Sequence, residues 1–315
     1  MADQKPLQNG PGAGDSLQEE IWLLGQPPLR RYLDFVSDIV VDGARADVAA
    51  LTDEWRAAND YYHELEQLES GIADKVECRE LPPSCVSLAK EVAADTHYRH
   101  TFNRVPVSFG MVELDKLIAF QLHVSCNFIR DLVAELGPNP SVEALFRFCL
   151  PIERSNAPVQ TQRVGSKRYV FRSDSTDFRF HDAVLLQPDQ IRDYHSFGPL
   201  AGVVGLVVGF GSNYLNAIRV GDRLLLNNGY HRACALRQLG VTHAPCIIQT
   251  ATLMDELELI AKPLIADDPD FYFNTARPPL LKDFFDPNIA KVYPVHKRVR
   301  MIEVNFEVRD YVLSE

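Results

Sequence analysis

The residues of this chain best suited to chemistry stand together in Asn227-Asn228-Gly229-Tyr230-His231-Arg232, where an apolar run meets the start of a helical pattern. The first backbone N–H groups of a helix have no acceptors inside it and sit at the positive end of its dipole, so such a junction favours an anion. Gly229 lets the backbone approach a ligand closely and enter the left-handed region. Asn228 can cap the helix through its amide oxygen, or it can donate to a ligand. His231 and Arg232 put cationic groups in the first turn, where they oppose the dipole but suit a phosphate, and the guanidinium offers a planar fork of donors that matches phosphate oxygens. The plainer alternative has Asn228 as a cap alone, with His231 and Arg232 turned to solvent or to a carboxylate.

Such a box works only if its neighbours hold it. Asn216-Ala217-Ile218-Arg219 and Arg223-Leu224-Leu225-Leu226 flank Val220-Gly221-Asp222, which predicts a hairpin whose second strand runs into the box. A helix follows from Tyr230 or His231 and stops at Gly240; then come a short apolar strand at Pro245 to Ile248 and a helix at Leu253 to Ala261. Nearer the start, Leu29, Leu33, Val36 and Val40 form a helical stripe ended by Asp42-Gly43. Steps of three and four from Val48 to Leu68 predict a longer amphipathic helix with an acidic outer face. Pro82-Pro83 precedes a third helix, roughly Ser84 to His97. Val105 to Leu114 reads as a strand and Ser125 to Leu136 as a helix closed by Gly137-Pro138. Arg168 to Arg172 and Phe178 to Leu186, on either side of Ser173-Asp174-Ser175-Thr176, read as a hairpin, and Arg298 to Leu313 alternates with period two, as a half-buried strand does.

The stretch Arg223 to Gly240, followed by Ala244-Pro245-Cys246-Ile247-Ile248, resembles the core of the ParB/sulfiredoxin-like superfamily: a strand, a Gly-x-His/Arg-Arg box opening a helix that ends at Leu-Gly, and a second strand begun by a small residue or proline. The resemblance spans residues 214–260, and Val112 to Gln121 corresponds to the family's early strand and Gln-containing turn. It implies nucleotide or phosphate binding by Asn228, Gly229, Tyr230, His231 and Arg232, with ATP or CTP and magnesium as the expected cofactors. Gln121, Gly211 and Asn213 are candidates to line the pocket. Partition proteins of the family hold CTP in this box; the sulfiredoxin branch holds ATP and carries a reactive cysteine directly after the glycine; a further branch phosphorylates free serine. Here Tyr230 stands in the place of that cysteine, so sulfinic-acid reduction is not expected, and Cys234, one turn on, reads as a packed thiol. No helix-turn-helix follows the box, which argues against a chromosome-segregation clamp.

The remaining motifs carry less. Gly209-Phe210-Gly211-Ser212-Asn213 is glycine-rich but has neither the Lys-Ser/Thr of a phosphate-binding Walker loop nor the spacing of a dinucleotide fingerprint. His243 near Cys246 does not by itself make a metal site, and no metal ligands are assigned. Glu113, Asp115, Asp177 and Asp182 stand near predicted strand ends, yet none is assignable as a general base, so a catalytic role stays open. A net charge of -11 sets the average surface against nucleic acid as a partner. The longest apolar run, Leu200 to Phe210, falls far short of the ~20 residues that span a membrane, and the first twenty residues carry no signal-peptide pattern; a soluble, cytoplasmic protein with reduced thiols is expected.

The resulting expectation is an α/β chain with a disordered leader over 1–18, a helical region over 19–103 and a ParB/sulfiredoxin-like domain over 104–315 that accommodates an insertion around 143–212. Its expected function is binding of a nucleotide or phosphorylated small molecule, extending to a small-molecule kinase or nucleotide hydrolase. The competing expectation is a non-enzymatic interaction module that retains the pocket as a structural remnant and meets another protein through its helical region.

Overall fold

The computed structural model describes residues 17–152, 156–175, 177–192 and 197–311. They form an α/β fold divided into two compact units: 1–153 with 213–297, and 154–212 with 298–315. The expected leader lies outside the described residues up to position 16; beyond it Gln18 already belongs to a strand.

In the first unit the chain runs through strand β1 (Gln18–Leu23), helices α1 (Leu29–Ile39) and α2 (Val48–Leu68), strand β2 (Cys78–Arg79), helices α3 (Val86–Ala94) and α4 (Thr96–Thr101), strands β3 (Val107–Glu113) and β4 (His123–Ser125), and helices α5 (Cys126–Leu136) and α6 (Val142–Cys149). The helix expected from Ser84 to His97 is therefore two. Asp95 divides them, its carboxylate accepting from the N–H groups of His97 and Tyr98 and so starting a new helix. Helix α6 lies inside the stretch read as an insertion, yet it packs in the first unit with Leu145, Phe146 and Cys149 in the core.

The second unit supplies β5 (Val159–Val164), β6 (Arg168–Ser173), β7 (Phe178–Leu186) and β8 (Val203–Phe210). The first unit resumes with β9 (Asn216–Val220), β10 (Arg223–Asn228), α7 (Tyr230–Gln238), β11 (His243–Thr250), three short helices α8 (Met254–Ile260), α9 (Pro263–Ala266) and α10 (Pro269–Phe273), and β12 (Ala290–Val295); β13 (Arg300–Asn305) belongs to the second unit.

Five strands of the first unit pair in the order β10-β9-β11-β3-β2, with β9 and β11 parallel and the other pairs antiparallel. The hairpin anticipated around Gly221 is β9–β10, with Gly221 at φ 58 in the turn. A second sheet, β12-β1-β4, joins the two ends of this unit and carries α1 and α2 on a core of Trp22, Tyr32, Phe35, Tyr62 and Tyr293. The amino-terminal helices thus belong to the same unit as the box.

In the second unit the expected hairpin between 168–172 and 178–186 does not form. Both edges of β6 are taken, by β5 and β13, while β7 pairs with β8. Ser173 and Ser175 turn the chain between them: the Ser173 hydroxyl accepts from the Ser175 N–H, and the Ser175 hydroxyl from the Asp177 N–H. The carboxy-terminal strand keeps its period of two, with Ile302 and Val304 less exposed than their neighbours, but it closes this sheet rather than the one that carries the box. Among the described residues no helix is long and apolar enough to cross a membrane.

Candidate functional site at the start of helix α7

Strand β10 delivers three buried leucines, Leu224 to Leu226, into the sheet, and its pairing with β9 shifts register at Leu226/Asn228. The chain turns out of the strand at Gly229, which takes φ +100 and ψ 22 as the residue preceding α7. A β-carbon there would lie 3.1 Å from the Leu215 Cα, so both the left-handed backbone and the close approach require glycine. As the N-cap, Gly229 has no side chain with which to cap this helix. Asn228 does not serve as the cap: its amide nitrogen donates to the Tyr214 carbonyl at 3.3 Å. Asn227 donates in the same way to Asn216 Oδ1 at 3.0 Å.

The three side chains that follow the glycine point into the protein. Tyr230 is buried, and its hydroxyl donates to the Leu226 carbonyl at 2.8 Å while accepting the Phe120 N–H at 2.9 Å and the Gln121 N–H at 3.5 Å. Burial raises its pKa, so it stays a phenol. His231 Nε2 accepts the Ser125 N–H at 3.0 Å, and the ring meets Phe128 edge-on with centroids 5.0 Å apart. Desolvation, with smaller electrostatic contributions from His123 and Arg232, lowers the His231 pKa to about 4. It is therefore neutral near pH 7 and acts as an acceptor, not as the cation expected for a phosphate. Arg232 is 9% exposed; its guanidinium donates to the Asn213 carbonyl and lies 5.9 Å from the centre of the Phe148 ring.

Of the pocket-lining candidates, Gln121 and Asn213 meet the box through Tyr230 and Arg232, and Gln121 Nε2 also donates to the His123 carbonyl at 2.6 Å. Gly211 belongs to the second unit, where its N–H donates to Asp177 Oδ2 at 2.9 Å. Cys234 is wholly buried and burial pushes its thiol pKa up, which makes it a packed thiol. The candidate bases have local partners: Glu113 bonds the Glu77 N–H and Lys116, Asp115 bonds Arg237, Asp177 bonds Arg179, and Asp182 bonds the Ala183 N–H. His243 pairs with Glu77 at 3.1 Å.

Beside the box stands a group that the sequence did not announce. His123, on β4 two residues before the Ser125 that holds His231, lies with Nδ1 3.4 Å from the buried Glu20 carboxylate, its ring stacked on Trp22 at 5.1 Å. Strand pairing sets Trp22 opposite His123 and Glu20 opposite Ser125, so two residues of β1 and two of β4, far apart in sequence, share one small area. The signal was faint because β4 has three residues and β1 follows no clear polar alternation. Set against models of known protein families, curated proteins and solved structures, the chain finds no match.

Proposed function

We propose that the elbow from Asn228 to Arg232 binds the phosphate of a nucleotide or another phosphorylated small molecule, through the backbone N–H groups that open α7. The observation that carries this reading is a nine-residue helix whose N-cap is a left-handed glycine with no side chain to offer, so the positive end of its dipole is not closed by a cap of its own. Gly229 allows the close backbone approach, and Asn227, Asn228 and Gly229 are each only part-buried. In this reading Tyr230, His231 and Arg232 brace the elbow and do not themselves clasp the phosphate; the Arg232 guanidinium adds a positive field beside it. ATP and CTP with magnesium are the candidate ligands, and a small-molecule kinase or a nucleotide hydrolase is the activity that would follow from them.

The second reading, an interaction module with a structural remnant of the pocket, draws on the same inward contacts, because side chains spent on Leu226, Ser125 and Asn213 serve folding without any ligand. Titration of the isotope-labelled chain with ATP, CTP and inorganic tripolyphosphate, with and without magnesium, separates the two. The phosphate reading expects amide shifts concentrated on residues 229–232 and a stabilisation of about 2.7 kcal/mol at 100 times the dissociation constant. Unmoved amides in a folded chain would leave the interaction module.

A further inference from the structure

Away from the elbow, α2 presents Glu54, Ala57, Ala58 and Tyr61 on one face, at the spacing that brings residues three and four apart together. That face opposes Asn288 and Lys291 across a hollow of about 260 Å³ whose floor includes the buried Leu24. Two alanines at the centre of the helical face leave the space open. The volume is far above the ~10–15 Å³ that admits one water and just below the ~300–1,000 Å³ of sites for drug-sized ligands, so the occupant it fits is small.

The polar groups of the hollow are held in place. Lys291 Nζ pairs with Glu54 Oε1 and lies 5.0 Å above the Tyr293 ring. The Tyr32 hydroxyl donates to Glu54 Oε2 at 2.8 Å and accepts from the Tyr293 hydroxyl at 2.6 Å. Burial raises both phenol pKa values, so both phenols keep their protons and the relay from Tyr293 through Tyr32 to the carboxylate stays hydrogen-bonded. At the rim, Tyr61 donates to Asp286 Oδ2 at 3.0 Å and Asn288 to Asp286 Oδ1 at 3.0 Å. The hollow therefore shows a fixed carboxylate and a fixed ammonium side by side, with side chains 32% and 41% exposed, next to an apolar floor.

We propose that this hollow binds a small zwitterion, a free α-amino acid with an aliphatic side chain. Its carboxylate bonds Lys291, its ammonium bonds Glu54, and its side chain covers Leu24, Ala57 and Ala58. An ionised carboxylate has about four lone-pair positions and an ammonium three donors. The contacts described use two of the former and one of the latter, so each group has capacity for a ligand. A ligand with a single charge satisfies one member of the pair and adds net charge beside the other; a zwitterion satisfies both.

Calorimetric titration of the full chain with leucine, isovalerate and isoamylamine tests this, the last two each carrying one of leucine's charges. Leucine is expected to bind at least tenfold more tightly than either. Lys291→Met should weaken leucine at least tenfold, and Ala57→Leu, which fills the hollow from an exposed helix position, should abolish the heat while melting confirms that the chain is folded. No leucine binding to the folded wild type, equal binding to Ala57→Leu, or isovalerate binding as tightly as leucine each overturns the proposal. None of these results depends on phosphate binding at α7.

Discussion

Two helices of the first unit begin side by side and begin differently. Helix α5 starts behind Ser125, whose hydroxyl accepts the Phe128 N–H at 3.3 Å, and α7 starts behind Gly229 with no side-chain cap. Ser125 links the two: its side chain caps α5 and its backbone N–H holds His231 of α7. One start is closed by its own sequence, and the other is positioned by a neighbour. A serine cap completes a helix with its own side chain, whereas α7 starts on a left-handed glycine that has no side chain to offer and a half-buried, neutral histidine anchored by a neighbouring strand.

The contrast breaks most severely at Gly229. Gly229→Ala forces an L-residue into the left-handed region and sets its β-carbon against Leu215, and should cost about 2–4 kcal/mol in chemical unfolding. A loss below 0.5 kcal/mol would mean that the elbow relaxes freely and that glycine is not needed there.

Acid sharpens the comparison next. The folded His231 pKa of about 4 lies below the ordinary 6.5, so the neutral form is favoured in the fold and the unfolded chain takes up the proton first. This contribution is complete above about pH 6.5, falls as the pH drops towards 4, and is flat below it, for a total of up to about 3 kcal/mol. His231→Gln can still accept the Ser125 N–H through its amide oxygen but does not titrate, so its stability should depend less on pH over that window. Equal slopes for wild type and variant would assign the acid sensitivity to other groups.

The smallest effect belongs to the closed start. Ser125→Ala should cost about 1 kcal/mol, with Ser125→Gly losing only a few tenths, and both should leave the His231 resonances in place because the N–H that holds the ring is backbone. Displaced His231 signals in Ser125→Ala would show that the two starts are coupled through the side chain as well.

Much of the framework was legible. Helices α1, α2, α5 and α7 and the β9–β10 hairpin carry their own signals: periodic apolar residues, Ser125 before a helix, and glycines at 137, 221 and 240 that take positive φ. The strand pairings of the second unit were not, because 168–173 and 178–186 read as strands in isolation and only competition for edges decides that β6 joins β5 and β13. Asp95 shows a local signal passed over, an acidic residue followed by threonine that ends one helix and caps the next.

At the candidate site the sequence by itself determined the backbone: a strand of leucines, a glycine that alone tolerates φ +100, and a helix stopped at Gly240. Which way the side chains of Tyr230, His231 and Arg232 point was decided by the tertiary structure alone. Their partners at Phe120, Ser125 and Asn213 come from chain segments about 20 to 110 residues away, and burial among those segments changes the histidine from an expected cation into a neutral acceptor. Local sequence encodes dihedral preference; charge state depends on desolvation and on partners that only the folded chain assembles.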